Sequence, residues 1–130
     1  PLEELVRKSD IISLHCPLTP ETKGLVNAER IGMMKKTAVL INAARGPVVD
    51  SCALADALNE GRLAGAAVDV FEMEPPVPAN HPLLHAANCL VTPHIAFASE
   101  ESMKLRADIV FDNLRVWLKG GQVNTVLPRA

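Results

Sequence analysis

The fold is decided by residues 37–47, TAVLINAARGP, an apolar run of strand length that ends in an arginine followed by glycine and proline. Residues 38–41 are continuously apolar, which is typical of a strand covered on both faces in a parallel sheet. Gly46 and Pro47 end the strand. We therefore expect Arg45 at the carboxyl end of a buried strand, where open α/β sheets bind their ligands.

Arg45 allows two interpretations. Its guanidinium is a planar fork of donors suited to a carboxylate or a phosphate. Taken alone, a structural ion pair at the strand end is the commoner use of such an arginine. The ligand-binding interpretation gains weight because three other predicted strands also end in residues with acid–base or ligand chemistry.

The rest of the chain alternates predicted strands and helices. Three further short apolar runs, at residues 11–15, 64–70 and 89–92, are predicted as strands. Apolar spacing and capping residues predict helices over residues 2–9, after Asn27, from Asp50 or Ser51 to Gly61, and from Ser99 onward. Strands separated by helices indicate parallel βαβ units and therefore an α/β fold.

Composition restricts the class of protein. The chain has 130 residues, 48% of them hydrophobic, and a formal net charge of −2. We expect a folded domain without the basic patch that nucleic acid needs, without a membrane helix and without a signal peptide. Cys16, Cys52 and Cys89 form no closely spaced pair, which favours reduced thiols in the cytoplasm. Because the chain starts at Pro1, we expect it to be a piece of a longer protein.

The four predicted strand ends form a candidate site, because in a parallel sheet they share one edge. Histidine is the usual proton shuttle near neutral pH, which makes His94 a candidate acid and base. Glu74 or Asp69 would keep its ring charged and oriented, and Arg45 would hold a substrate carboxylate. Each also has an ordinary structural explanation: helix-start packing for His94, loop solvation for Glu74 and capping for Asp69.

Four segments resemble the successive motifs of the D-isomer-specific 2-hydroxyacid dehydrogenase family. They are LHCPLT at residues 14–19, INAARGPVVD at 41–50, AVDVFEMEP at 67–75 and TPHIA at 92–96. The resemblance implies that Arg45, Glu74 and His94 are catalytic; Glu74, rather than Glu72, matches the family's catalytic glutamate. It also implies a nicotinamide cofactor, NAD or NADP, lined by Cys16, Pro17, Thr22, Ala43, Ala44, Arg45, Asp69, His94 and Phe97.

The family's glycine-rich phosphate turn and the acidic ribose ligand that follows it do not occur in this sequence. The resemblance therefore implies the second half of a doubly wound, Rossmann-type nucleotide-binding domain. We assign residues 1–97 to that half, and residues 98–130 to a long helix and a tail returning towards a substrate domain. NAD and NADP both stay open, because the residue that reads the ribose is missing.

The function implied is an oxidoreductase that interconverts a D-2-hydroxy acid and a 2-keto acid, with a homodimer expected for the full-length protein. The run PHIAFAS at residues 93–99 is most similar to the glycerate and hydroxypyruvate branch. The competing interpretation is a nucleotide-sensing binding protein, like the corepressors of the same family. We expect the isolated 130-residue chain to be inactive and to bind the cofactor weakly.

Two further patterns have the spacing of a functional site. His81, His85 and Cys89 are spaced four residues apart, as zinc ligands on a helix can be. Pro82 and the apolar residues after it favour a short packed turn, so we expect no metal. Cys16 follows His15 directly, and neighbouring strand residues point to opposite faces, so the two cannot form an activated thiol pair.

Overall fold

The computed structural model describes residues 1–125 and contains a four-stranded parallel sheet. The strands pair in chain order, β1-β2-β3-β4, and are β1 (Ile11–Leu14), β2 (Val39–Asn42), β3 (Gly65–Val68) and β4 (Cys89–Val91). The predicted parallel α/β class is confirmed. Strand β2 begins and ends one residue later than the apolar run suggested, so that Asn42 closes it.

Residues 1–125 also contain four α-helices: α1 (Leu2–Lys8), α2 (Ala28–Met33), α3 (Ser51–Asn59) and α4 (Glu100–Leu118). The predicted caps are present. The side chain of Asn27 accepts a hydrogen bond from the Arg30 amide at 3.0 Å, and Asp50 accepts one from the Ala53 amide at 3.0 Å. These side chains satisfy amides that the first helical turn leaves unpaired. Gly61 follows α3 and has φ +63°. Helices commonly end at a residue with this left-handed conformation, which glycine adopts at little cost.

The core lies on one face of the sheet. Leu40 and the other inward-pointing strand residues share a single buried cluster with Val6 of α1, Ile31 of α2 and Leu54 of α3. On the opposite face Ile11 is 66% exposed and Leu90 is 67% exposed. The residues of β2 on that face are partly buried, so the expectation that β2 is covered on both faces stays a prediction. The buried side chains of α1, α2 and α3 all belong to the cluster on the first face.

The described chain forms two compact units, Pro1–Ile95 and a second that starts at Ala96. The second contains α4, which is capped by the Ser99 side chain. Large apolar residues of α4 are exposed, among them Met103, Ile109, Val110, Phe111, Leu114 and Trp117. The predicted return of the tail to a substrate domain extends into residues 126–130, which lie outside the described residues. The predicted change of role after residue 97 stays a prediction.

Among residues 1–125, no helix is both long enough and apolar enough to cross a membrane.

Gly46 brings two loops into backbone contact. It starts a short 3-10 helix, Gly46–Val48, directly after Arg45. A Cβ added at Gly46 would lie 2.0 Å from the carbonyl carbon of Phe71 and 2.4 Å from the amide nitrogen of Glu72. Because both neighbours are backbone atoms, no side-chain rotation can relieve the overlap. Glycine at this position lets the loop after β2 pack against the loop after β3.

Gly46→Ala is expected to destabilise the protein, because the added methyl group must push two backbone segments apart. Overpacking of this kind costs about 1–3 kcal/mol. The free energy of unfolding, from denaturant titration, measures the effect. Gly32→Ala in α2 is the matched control, because a Cβ there meets no heavy atom within 4 Å. Equal stability of the two variants would contradict the close approach at Gly46.

Candidate functional site

The predicted site residues of the first unit lie at or just beyond the carboxyl ends of the four strands. Cys16 follows β1, Arg45 follows β2, Asp69 follows β3 directly, and His94 comes three residues after β4. Because all four strands are parallel, these ends lie along the same edge of the sheet. The edge therefore carries a cation, carboxylates and an imidazole.

Asn42 shapes the turn that presents Arg45. Its side chain is buried, with its amide nitrogen donating to the Arg45 carbonyl at 3.1 Å and its oxygen accepting from the Ala44 amide at 3.1 Å. The guanidinium of Arg45 donates to the Ala44 carbonyl at 2.6 Å, and the residue is otherwise exposed. The buried amide therefore fixes the backbone from which the arginine projects. The signal of this role in the sequence is a polar residue that closes an apolar strand.

Glu74 holds the ring of His94. Its Oε2 lies 2.5 Å from Nδ1 of His94, and its Oε1 accepts a hydrogen bond from the Phe71 amide at 2.5 Å. The Glu74 side chain is 24% exposed and that of His94 is 44% exposed, so the pair is accessible. A carboxylate anchored to the backbone fixes both the orientation of the imidazole and its tautomer. Nε2 then becomes the ring nitrogen on the side away from Glu74.

Asp69 holds the backbone of the turn that carries His94. His94 has φ +55°, a left-handed conformation that is uncommon for a residue with a side chain. Its amide donates to the Asp69 carbonyl at 2.8 Å. The buried carboxylate of Asp69 accepts from the Ile95 amide at 2.9 Å and also from the hydroxyl of Thr92. The sequence offered Asp69 as a possible partner of His94, and the family resemblance implied that it is a cofactor neighbour. Its part in the turn was missed, as was that of Thr92.

The remaining predicted cofactor positions differ in whether they offer a side chain or backbone atoms to a ligand. Cys16 and Ala43 are half-buried, and the Pro17 carbonyl accepts a hydrogen bond from the Thr22 hydroxyl at 2.6 Å. The Ala44 side chain belongs to the core, so this residue offers backbone atoms. Small, uncharged groups at strand ends fit a flat nicotinamide ring with a carboxamide.

Phe97 belongs to the second unit. The Arg106 guanidinium lies over its ring, 4.8 Å from the ring centre. Its predicted contact with the cofactor stays a prediction.

A second polar cluster lies beside the site. Ser51 donates to one oxygen of Glu72 at 2.5 Å, and Nε2 of His81 lies 3.0 Å from the other oxygen. Burial opposes ionisation of Glu72 and is the largest single effect. The hydrogen bonds from Ser51 and His81 outweigh it, so the pKa of Glu72 is lowered from its ordinary value. The cluster was missed because nothing in the sequence pairs these three residues.

The histidines considered as zinc ligands have other neighbours. His81 contacts Glu72, and Nε2 of His85 lies 2.7 Å from the Ala79 carbonyl oxygen. Within residues 1–125, no group of three or more His, Cys, Asp or Glu side chains is placed to hold a metal ion.

The sequence matches the family model described as D-isomer specific 2-hydroxyacid dehydrogenase, NAD binding domain, over residues 1–96. It is 49% identical over 125 residues to hydroxypyruvate reductase of Blautia hydrogenotrophica, covering 96% of this chain and 38% of the relative. It is 56% identical over 119 residues to glyoxylate reductase of Thermofilum pendens, covering 92% of this chain and 35% of the relative. The chain thus spans little more than a third of the length of these relatives.

Solved structures share the fold. The TT0316 protein from Thermus thermophilus superposes with a TM-score of 0.86 at 44% identity, covering 95% of this chain and 39% of that one. A D-isomer specific 2-hydroxyacid dehydrogenase from Lactobacillus delbrueckii, in its NAD-complexed form, gives a TM-score of 0.83 at 31% identity, covering 96% and 42%. An acyclic imino acid reductase in complex with NADPH and D-Arg gives 0.83 at 32% identity, covering 98% and 40%.

Glu72→Gln is expected to lower stability at neutral pH and to have no effect in acid. Because the folded pKa of Glu72 is below its ordinary value of 4.5, the ionised carboxylate stabilises the fold above pH 4.5. That contribution is lost as the pH falls through the folded pKa, where both proteins carry a neutral side chain.

Denaturant titrations at several pH values measure the difference between the two proteins. Glu29→Gln, on the exposed surface of α2, is the control for removing a carboxylate. A Glu72→Gln difference that persists unchanged into acid would contradict the assignment.

Proposed function

The chain belongs to the D-isomer-specific 2-hydroxyacid dehydrogenase family, and we propose that the intact protein interconverts a D-2-hydroxy acid and a 2-keto acid with NAD or NADP. The observation that carries the proposal is the anchored Glu74–His94 pair, on the sheet edge that also presents Arg45. A backbone-fixed carboxylate, an imidazole and a guanidinium suit proton transfer on an anionic substrate.

The nicotinamide nucleotide supplies or accepts the hydride when it is bound. In the reductive direction Arg45 binds the substrate carboxylate through its planar fork and draws electron density from the carbonyl. Protonated His94 donates a proton from Nε2 to the developing alkoxide oxygen. Glu74, bonded to Nδ1, stabilises the charged ring and keeps Nε2 directed at the substrate. In the oxidative direction neutral His94 accepts the hydroxyl proton at the same nitrogen.

We propose glycerate and hydroxypyruvate as the substrate pair. The run PHIAFAS at residues 93–99 supports it, and so does the similarity to a relative named hydroxypyruvate reductase. The test is a spectrophotometric screen of the intact protein with hydroxypyruvate, glyoxylate and pyruvate, each with NADH and NADPH. Fastest turnover of hydroxypyruvate is expected. Absence of turnover with every pair would favour a nucleotide-sensing binding protein instead.

We also propose that the intact protein is a cytoplasmic homodimer, in which residues 98–130 return towards the substrate domain. The three free cysteines support a reducing compartment. The exposed apolar residues of α4 support a covering surface in the intact protein. Sedimentation equilibrium of the intact protein tests the dimer, and a monomer at micromolar concentration would contradict it.

Arg45→Lys is expected to raise the reaction barrier by about 2–4 kcal/mol, because lysine keeps the charge and loses the fork. The measurement is kcat/KM for keto-acid reduction. Arg62→Lys is the control, because Arg62 is exposed and pairs with Glu60 at 2.5 Å. Equal kinetics for Arg45→Lys and wild type would remove Arg45 from the site.

Glu74→Gln is expected to move the pH profile of keto-acid reduction to lower pH. The neutral amide no longer stabilises the imidazolium, so His94 loses its proton earlier as the pH rises. The profile of kcat/KM against pH measures the shift, with Glu60→Gln as the exposed control. A profile that stays in place, or moves to higher pH, would show that Glu74 does not act on His94.

A further inference from the structure

We propose that Ser51, Glu72 and His81 form a clamp that positions Glu74 and Arg45, and that Glu72 is a positioning residue for the reaction. The proposal rests on the proposed function. Its evidence is the hydrogen bonding of the three residues and their place between the two loops that carry the site.

Both oxygens of Glu72 are engaged within the clamp. Ser51 Oγ donates to Oε1 at 2.5 Å, and His81 Nε2 is 3.0 Å from Oε2. His81 Nδ1 accepts from the Leu83 amide at 3.3 Å, so the ring proton belongs on Nε2 and is donated to Glu72. The His81 side chain is only 12% exposed, and its ring meets the Phe71 ring edge-on at 5.1 Å. The ring is therefore held on three sides.

The clamp links the loop after β2 to the loop after β3. Ser51 is the first residue of α3 and comes shortly after Arg45 and the short Gly46–Val48 helix. Glu72 lies two residues before Glu74. The same two loops touch at Gly46, where a Cβ would overlap the backbone of Phe71 and Glu72. Glu72 is therefore connected both to the segment that follows the arginine turn and to the segment that carries Glu74.

The loop after β3 is exposed around Glu74. Phe71 is buried, whereas Met73, Pro75 and Pro76 are exposed. Glu74 itself is anchored through the Phe71 amide, one residue from Glu72. A segment with little buried apolar surface depends on its polar contacts for order. Loss of the clamp should therefore loosen Glu74 while the sheet stays folded.

The test compares Glu72→Ala with Glu72→Gln in the intact protein. Glutamine can accept from His81 through its oxygen and donate to Ser51 Oγ through its amide, so it preserves the clamp without the charge. Alanine removes both contacts. The pair therefore separates the position of the side chain from its electrostatic effect on His94. Glu60→Ala, on an exposed residue, is the control for removing a carboxylate.

The first readout is the midpoint of the His94 ring titration, followed by NMR and assigned through His94→Gln. Glu72→Ala should shift the midpoint to lower pH, in the direction of Glu74→Gln, and Glu72→Gln should restore the wild-type value. The second readout is kcat/KM for keto-acid reduction. It should fall roughly 10- to 100-fold in Glu72→Ala, because small misplacements of reacting groups have effects of that size. Ser51→Ala, which removes one contact, should give smaller changes in the same directions.

An unchanged His94 titration in Glu72→Ala, with only a lower melting temperature, would overturn the proposal and leave a purely structural role. Glu72→Gln as impaired as Glu72→Ala would also overturn it, because the charge rather than the position would then matter. If Glu72→Ala does not fold, Ser51→Ala with an unshifted titration is the overturning result. A wild type that reduces no keto acid refutes the proposed function, and the NMR comparison still decides whether the clamp positions Glu74.

Discussion

Parallel pairing of four short strands is the constraint on which the site depends. In register, Leu14 lies beside Asn42, Asn42 beside Val68, and Val68 beside Val91, so that the chain leaves the sheet four times at one edge. Arg45, Asp69 and His94 are far apart in sequence, and only this register brings them to a common edge. A shift of one residue in any strand would turn its side chains to the opposite face and separate the groups.

The side chains of the candidate site are each held in place by a second group, which is buried. Asn42 fixes the turn of Arg45, Asp69 fixes the turn of His94, and the Phe71 amide fixes Glu74. Such contacts are effective because a buried polar group that loses its partner is costly. The exposed side chains of Arg45, Glu74 and His94 are then oriented without depending on their own packing.

The sequence predicted the parallel α/β class, the helix caps, and Arg45, Glu74 and His94 as candidates, because each prediction rested on local patterns or on family motifs. It did not predict the clamp, since Ser51, Glu72 and His81 are brought together by long-range packing. The sequence predicts Gly46 as a strand terminator, whereas its contact with the Phe71 backbone depends on a loop that follows a different strand. The continuous apolar run of β2 predicts burial on both faces, but apolar content alone does not reveal which helices cover each face.

The central claim is that Glu74 acts through His94, and a double-mutant cycle tests it most directly. The measurement is kcat/KM for keto-acid reduction in wild type, Glu74→Gln, His94→Gln and the double variant. If Glu74 works only by orienting the His94 imidazole and stabilising its charged form, Glu74→Gln has little further effect on kcat/KM once His94 is replaced. The losses of kcat/KM in the two single variants are then strongly non-additive. Losses that simply add would show that the two residues act independently, and would contradict the account.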